Sequence, residues 1–143
     1  AHLINCAKHS LKKGSKELGS SSIINISSMY GVVAPKPNNY PNKKMINPPY
    51  YGTMKAGLIH YTKNASIYLA KYNIRVNWIS PGAFPNDKVK KNKRFISKLK
   101  SNVPLNRIGN PNDLDTSIIF LSSPSSSYIT GINLIVDGGW TIW

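Results

Sequence analysis

The sequence predicts an α/β fold built around a parallel sheet, and three observations lead there. The apolar run at residues 22–27 shows little alternation, as expected of a strand covered on both faces, and further strands read at 74–80 and 132–136. Long helical stretches separate them, and a strand–helix–strand–helix–strand order implies parallel pairing through right-handed crossovers. Each run ends in residues that stop a strand: Ser27-Ser28, Pro81-Gly82 and Gly138-Gly139.

The elements follow in order. Residues 1–13 read as the end of an amphipathic helix with Leu3, Cys6, Ala7 and Leu11 on one packed side. A glycine- and serine-rich turn at 14–22 leads into the first strand. A polar, proline-bearing segment covers 33–49. The helix expected at 50–72 is too long for a strand and has no internal proline. The second strand, 74–80, is stopped by Pro81-Gly82 and followed by a lysine-rich helical excursion over 87–101. Asn110-Pro111-Asn112-Asp113 suits a helix start, with asparagine as N-cap, proline first and an acid in the first turn. That helix should end near Ser122. Asp137-Gly138-Gly139 reads as a tight turn after the last strand, with Asp137 structural. No internal repeat is evident.

Composition excludes several classes. With 19 Lys and Arg against 5 Asp and Glu, the net charge is +14, which invites a nucleic-acid reading. The densest basic run is Lys88, Lys90, Lys91, Lys93, Arg94, Lys98 and Lys100. Lysine dominates it, whereas phosphate and base recognition favours arginine forks, so a solvated face is expected and a nucleic-acid module is the lesser alternative. The single cysteine, Cys6, allows no internal disulfide and suits a cytoplasmic protein. His2, His9 and His60 lack ligand spacing, so no metal site is expected. No apolar span is long enough for a membrane helix.

Tyr51-Gly52-Thr53-Met54-Lys55 carries the chemistry. A tyrosine and a lysine four residues apart share one face of a helix, where the ammonium favours phenolate. Such a phenol can act as general acid or base. Tyr50 is a rival, but only Tyr51 has a lysine at that spacing. The pair alone is often an ordinary helix face; its place between Ser27-Ser28 and Ser80-Pro81-Gly82 is what gives it weight. Both those segments close strands, where open α/β sheets bind ligands.

Over residues 19–139 the chain resembles the C-terminal half of the short-chain dehydrogenase/reductase family. Ile23-Ile24-Asn25-Ile26-Ser27-Ser28 with Gly31, the Tyr51 to Lys55 motif, and Asn73-Ile74-Arg75-Val76-Asn77-Trp78-Ile79-Ser80-Pro81-Gly82 carry the resemblance. Val103-Pro104-Leu105-Asn106-Arg107-Ile108-Gly109 and the stretch through Val136-Asp137-Gly138-Gly139 complete it in family order. The resemblance implies the C-terminal half of a doubly wound Rossmann-type sheet and hydride transfer between NAD or NADP and a small-molecule carbonyl or alcohol. It places Ser28, ahead of Ser27, on the substrate oxygen and Tyr51 as proton donor or acceptor. Lys55 would hold the nicotinamide ribose. Pro81, Gly82 and the backbone near Phe84 would meet the carboxamide, while Asn86 stands where the family often has threonine.

The segment from Ser28 to Tyr51 is longer than usual and resembles a subset linked to surface-sugar and flagellin-glycan pathways. That implies a sugar substrate, with a 3-oxoacyl thioester or another ketone also open. Tyr40, Lys43 and Lys44 would form one pocket wall, an inert surface insertion being the equal alternative. By the same resemblance, Trp140, Trp143 and the 50–72 helix would meet another subunit of a homo-dimer or homo-tetramer.

No G-x-x-x-G-x-G turn and no acid after a second strand are present, and those features hold the dinucleotide and set NAD against NADP. The 143 residues therefore read as a partial domain, a fragment of a longer reading frame whose cofactor-binding half is absent. Alone it is expected to be inactive, a truncated remnant being the alternative. Its first strand would expose an unpaired apolar edge that favours insolubility or partial folding.

Overall fold

The computed structural model describes residues 2–42 and 45–142. Helix α1 (His2–Leu18) lays Ile4 and Leu11 against a cluster of Ala65, Leu69, Ile74 and Val76. It runs straight through Gly14, where the sequence predicts a turn. A Cβ on Gly14 would stand 3.2 Å from Ser21 Oγ, so this glycine serves a close helix–strand approach. The turn is confined to Gly19, at φ 83°. Cys6, expected in the packed face, is exposed instead.

Strands β1 (Ser21–Ile26), β2 (Ile74–Pro81) and β3 (Asn133–Val136) pair in the order β1-β2-β3, all parallel. Ile24 lies opposite Asn77, and Ile79 opposite Leu134. The central strand is buried from Ile74 to Ser80, as a strand covered on both faces is, and it buries Arg75, Asn77 and Ser80 along with its apolar residues. It extends one residue further than expected, because Pro81 takes the last rung opposite Val136. Among the described residues β1 pairs with β2 alone, leaving its other edge unpaired.

Helix α2 (Pro49–Ala70) makes the crossover from β1 to β2 and, with α1, covers one face. The lysine-rich excursion is two helices, α3 (Asp87–Lys90) and α4 (Lys93–Lys100). Asparagines start both: Asn86 and Asn92 accept the N–H groups of Val89 at 3.0 Å and Phe95 at 3.1 Å. Asn110 forms the expected cap as a reciprocal box with Asp113, opening a 3-10 turn, Pro111–Leu114, that leads into α5 (Asp115–Ser122). Helix α5 lies on the other sheet face. There Arg75, 4% exposed, donates to Leu121 O (2.9 Å), Ser126 Oγ (2.8 Å) and Ser123 O (3.2 Å). This arginine fastens the end of α5 under the sheet with no carboxylate partner among the described residues.

A second cluster sits at the carboxyl ends of the strands and joins Met29, Tyr30, Ala83, Phe95, Leu99, Val103 and Trp140. Trp140, expected to face another subunit, is 4% exposed within its own chain and meets Tyr30 edge-on at 6.5 Å between centroids. Trp143 lies outside the described residues.

Candidate active site

The chain leaves β1 through Ser27 and Ser28 into a 3-10 turn, Met29–Gly31, that rests on the start of α2. Two serines of like sequence do different work. Ser27 Oγ donates to the carbonyl of Lys55 at 3.0 Å, so its proton is committed to the helix. Ser28 is extended (φ −164°, ψ 155°) and its Oγ accepts the N–H of Tyr30 at 3.1 Å. Accepting uses a lone pair and leaves the Ser28 hydroxyl proton available to a ligand oxygen.

Helix α2 returns the tie. Lys55 Nζ donates to the carbonyl of Ile26 at 3.0 Å and stands 5.9 Å from the centre of the Tyr51 ring. Close backbone approach makes this possible. A Cβ on Gly31 would sit 2.9 Å from the Lys55 carbonyl carbon and 3.0 Å from Ser27 Oγ, and one on Gly52 would sit 2.9 Å from Tyr30 O. Tyr51 is half-buried against the Met29–Tyr30 cluster, whereas the rival Tyr50 is 68% exposed. The turn and the first helical turns of α2 thus place Ser28, Tyr51 and Lys55 at the carboxyl end of the sheet.

Sequence reasoning missed Tyr30, since a lone tyrosine in a turn carries no pattern. Its hydroxyl meets that of Tyr40 at 2.7 Å. Burial first, then the bond to Tyr40, raise the Tyr30 pKa above the ordinary phenol value; burial likewise raises that of Tyr40. Repulsion from Tyr51 adds to both, which places all three phenols in one neighbourhood. Tyr40 thereby ties the segment after β1 to the Met29–Gly31 turn. Lys43 and Lys44, named with it from the sequence, lie outside the described residues.

The loop after β2 holds Pro81, Gly82 and Phe84. Gly82 N–H donates to Val136 O at 3.0 Å, and a Cβ there would lie 2.6 Å from Asp137 Cα, so packing against the end of β3 already demands glycine. Asp137 is structural, as expected: its carboxylate accepts the N–H groups of Gly139 and Thr141, each at 2.8 Å. The Phe84 ring covers Gly109, and both line a cavity of about 580 Å³ with Arg107, Val136 and Gly139. Asn86 spends its carbonyl oxygen on the α3 cap. Arg107 grips Asp113 with two bonds, 2.6 and 2.8 Å, and with the Asn110 N–H holds that carboxyl at about 2.

Among the described residues no three metal-ligating side chains gather, and no helix is long and apolar enough to cross a membrane.

The chain matches, over residues 2–141, the family described as enoyl-(acyl carrier protein) reductase. It is 37% identical over 127 residues to a ribulose-forming D-arabinitol 2-dehydrogenase of Candida albicans, covering 85% of this chain and 42% of that protein. It is 39% identical over 122 residues to a 3-oxoacyl-[acyl-carrier-protein] reductase of Chlamydia trachomatis, covering 84% of this chain and 45% of the relative. Among solved structures, a short chain dehydrogenase of Leptospira borgpetersenii with bound NAD+ superposes with a TM-score of 0.79 at 38% identity, over 95% of this chain and 50% of that one. The chain therefore spans about half the length of the relatives it matches.

Proposed function

The chain belongs to the short-chain dehydrogenase/reductase family, and from that premise we propose that it supplies the catalytic half of an NAD- or NADP-dependent oxidoreductase acting on a carbonyl or hydroxyl carbon. The observation that carries this reading is the reciprocal tie Ser27 Oγ to Lys55 O and Lys55 Nζ to Ile26 O, which holds the Tyr51 helix against the Ser28 turn.

In reduction, Ser28 gives its free hydroxyl proton as a hydrogen bond to the substrate carbonyl oxygen. Tyr51 transfers its phenolic proton to that oxygen, and in oxidation takes it back from the alcohol. Lys55, with the two N–H donors not used on Ile26 O, fits the ribose hydroxyls beside the nicotinamide. The nicotinamide, when bound, supplies or accepts the hydride. Pro81, Gly82 and the backbone of Phe84 offer the carboxamide a wall made rigid by the end of β3. Residues for the adenine end do not occur in this sequence, so both NAD and NADP fit what is here.

The similarity to a D-arabinitol dehydrogenase supports a polyol or ketose substrate, and that to an acyl-carrier-protein reductase supports a 3-oxoacyl thioester as the second choice. Exposed apolar residues along α2, Tyr50, Met54, Ile67 and Tyr68 at 68–73%, support a homo-oligomer. One exposed cysteine suits a reducing cytoplasm.

The test is Tyr51→Phe in the full-length protein. Turnover should fall by about a hundredfold or more while cofactor binding, read by nicotinamide fluorescence, persists. Undiminished turnover would remove Tyr51 from the chemistry.

A further inference from the structure

We propose that the hollow between the 3-10 turn Pro37–Asn39 and α4 is an anion subsite that takes the far end of the substrate, a phosphate monoester in class. The assignment rests on the oxidoreductase reading for its connection to a substrate. Asn39, Tyr40, Arg94, Phe95 and Lys98 form its walls, and its volume is about 200 Å³. That is below the roughly 300–1,000 Å³ of pockets that enclose whole drug-sized ligands, so it suits a single group.

Among the described residues five buried side-chain nitrogen or oxygen atoms lack a partner, on Asn39, Arg75, Trp78, Ser80 and Asn133, and only Asn39 lines this hollow. Asn39 is 4% exposed, and its Oδ1 accepts from Asn102 at 3.1 Å, yet its Nδ2 has no partner among the described residues. Buried donors are almost always satisfied, and one left open beside a hollow calls for an acceptor that enters from outside. Arg94 and Lys98 sit four residues apart on α4, so their charged heads share one side. Neither forms an ion pair among the described residues, and no carboxylate lines the hollow. A planar guanidinium, an ammonium and a buried amide N–H together match a multiply accepting oxyanion.

The hollow is also joined to the catalytic turn. The Tyr40 ring packs on Phe95 at 5.6 Å, its hydroxyl meets Tyr30 at 2.7 Å, and the Tyr30 N–H is held by Ser28. The wall of the anion hollow and the floor under the reacting oxygen are therefore one packed piece. The proposed substrate carries a carbonyl at one end, for Ser28, and a phosphate at the other, for this hollow.

The test compares a ketopentose with its phosphate monoester in the full-length protein. Replacing Arg94→Gln and Lys98→Gln together should raise KM for the phosphate ester about tenfold or more, with kcat and the KM of the neutral sugar unchanged. Asn39→Asp, similar in size but charged, should do the same; both variants keep the melting temperature if they fold. Equal KM values for the two sugars, unmoved by either variant, overturn the subsite and leave the oxidoreductase reading standing. Preference for a carboxylate-bearing sugar over the phosphate ester overturns the phosphate assignment. Inorganic phosphate, titrated into the Tyr51→Phe protein by calorimetry, separates the two ideas. Binding that Arg94→Gln with Lys98→Gln abolishes supports the subsite even if no carbonyl compound is turned over, an outcome that would sink the oxidoreductase reading alone. Absent phosphate binding counts against the subsite.

Discussion

Gly31→Ala probes how the site is built. The added methyl would stand 2.9 Å from the Lys55 carbonyl carbon, 3.0 Å from Ser27 Oγ and 3.0 Å from Ile59 Cδ1. The Ile59 methyl can swing aside. The carbonyl belongs to helix backbone, and Ser27 is pinned at the end of β1. The turn must therefore lift from α2 or the Ser27–Lys55 bond must open. Overpacking of this kind costs about 1–3 kcal/mol. Gly57→Ala, on the same helix, meets nothing within 4 Å and should stabilise by about 0.5–1 kcal/mol through helix propensity. The two alanines should thus differ by about 1.5–4 kcal/mol with opposite signs. Urea unfolding of the full-length protein, followed by fluorescence, reads this, since Trp78 and Trp140 are both buried. Gly31→Ala should also lower turnover, because lifting the turn moves Ser28 away from Tyr51. Equal shifts in midpoint for the two variants, or a stabilising Gly31→Ala, would refute the close contact between turn and helix.

Arg75→Leu should destabilise by about 3 kcal/mol or more, because it strips hydrogen bonds from Leu121 O, Ser126 Oγ and Ser123 O in a buried place, and the same urea titration reads it. Asp113 contributes an acid dependence. Its folded value of about 2 lies below the ordinary 3.8, so its stabilising effect is complete above pH 4 and is lost as pH falls toward 2. Asp113→Asn should flatten the stability–pH slope in that window, and an unchanged slope would place the acid sensitivity elsewhere. The unpaired edge of β1 should make the 143-residue chain associate on its own, seen as light scattering that rises with concentration; a soluble monomer that melts cooperatively would contradict this.

What the sequence made legible was local. Strand ends near Ser27-Ser28 and Pro81-Gly82, the Tyr51–Lys55 spacing and the Asn110 cap each depend on neighbours within a few residues, and the structure keeps them, the strand ends shifted by one residue. What stayed hidden depends on distant partners. Gly14 reads as a helix breaker until Ser21 folds over it, and Trp140 reads as an interface residue until Tyr30 arrives from the far side of the chain. Cys6 fell on the wrong side of α1 because the helix presents only Ile4 and Leu11 to the Ala65–Val76 cluster. The resemblance prefers Ser28 to Ser27, and the structure supplies a physical reason that no sequence pattern carries: the Ser27 hydroxyl already donates to Lys55 O.

That division of labour bears on how such a site can change substrate. Ser27, Gly31 and Gly52 hold the Ser28 turn against α2 through a backbone carbonyl and close glycine contacts. Tyr40 and Asn39 reach the site from that segment through Tyr30 and α4. A replacement at Tyr40 should therefore alter which substrate binds while leaving the Ser28–Tyr51–Lys55 arrangement in place. Tyr40→Phe isolates the effect. It removes the hydroxyl paired with Tyr30 but keeps the ring on Phe95, so KM should change more than kcat. A collapse of kcat with KM unchanged would mean that the Tyr30–Tyr40 pair acts on the proton transfer itself and belongs with the chemistry.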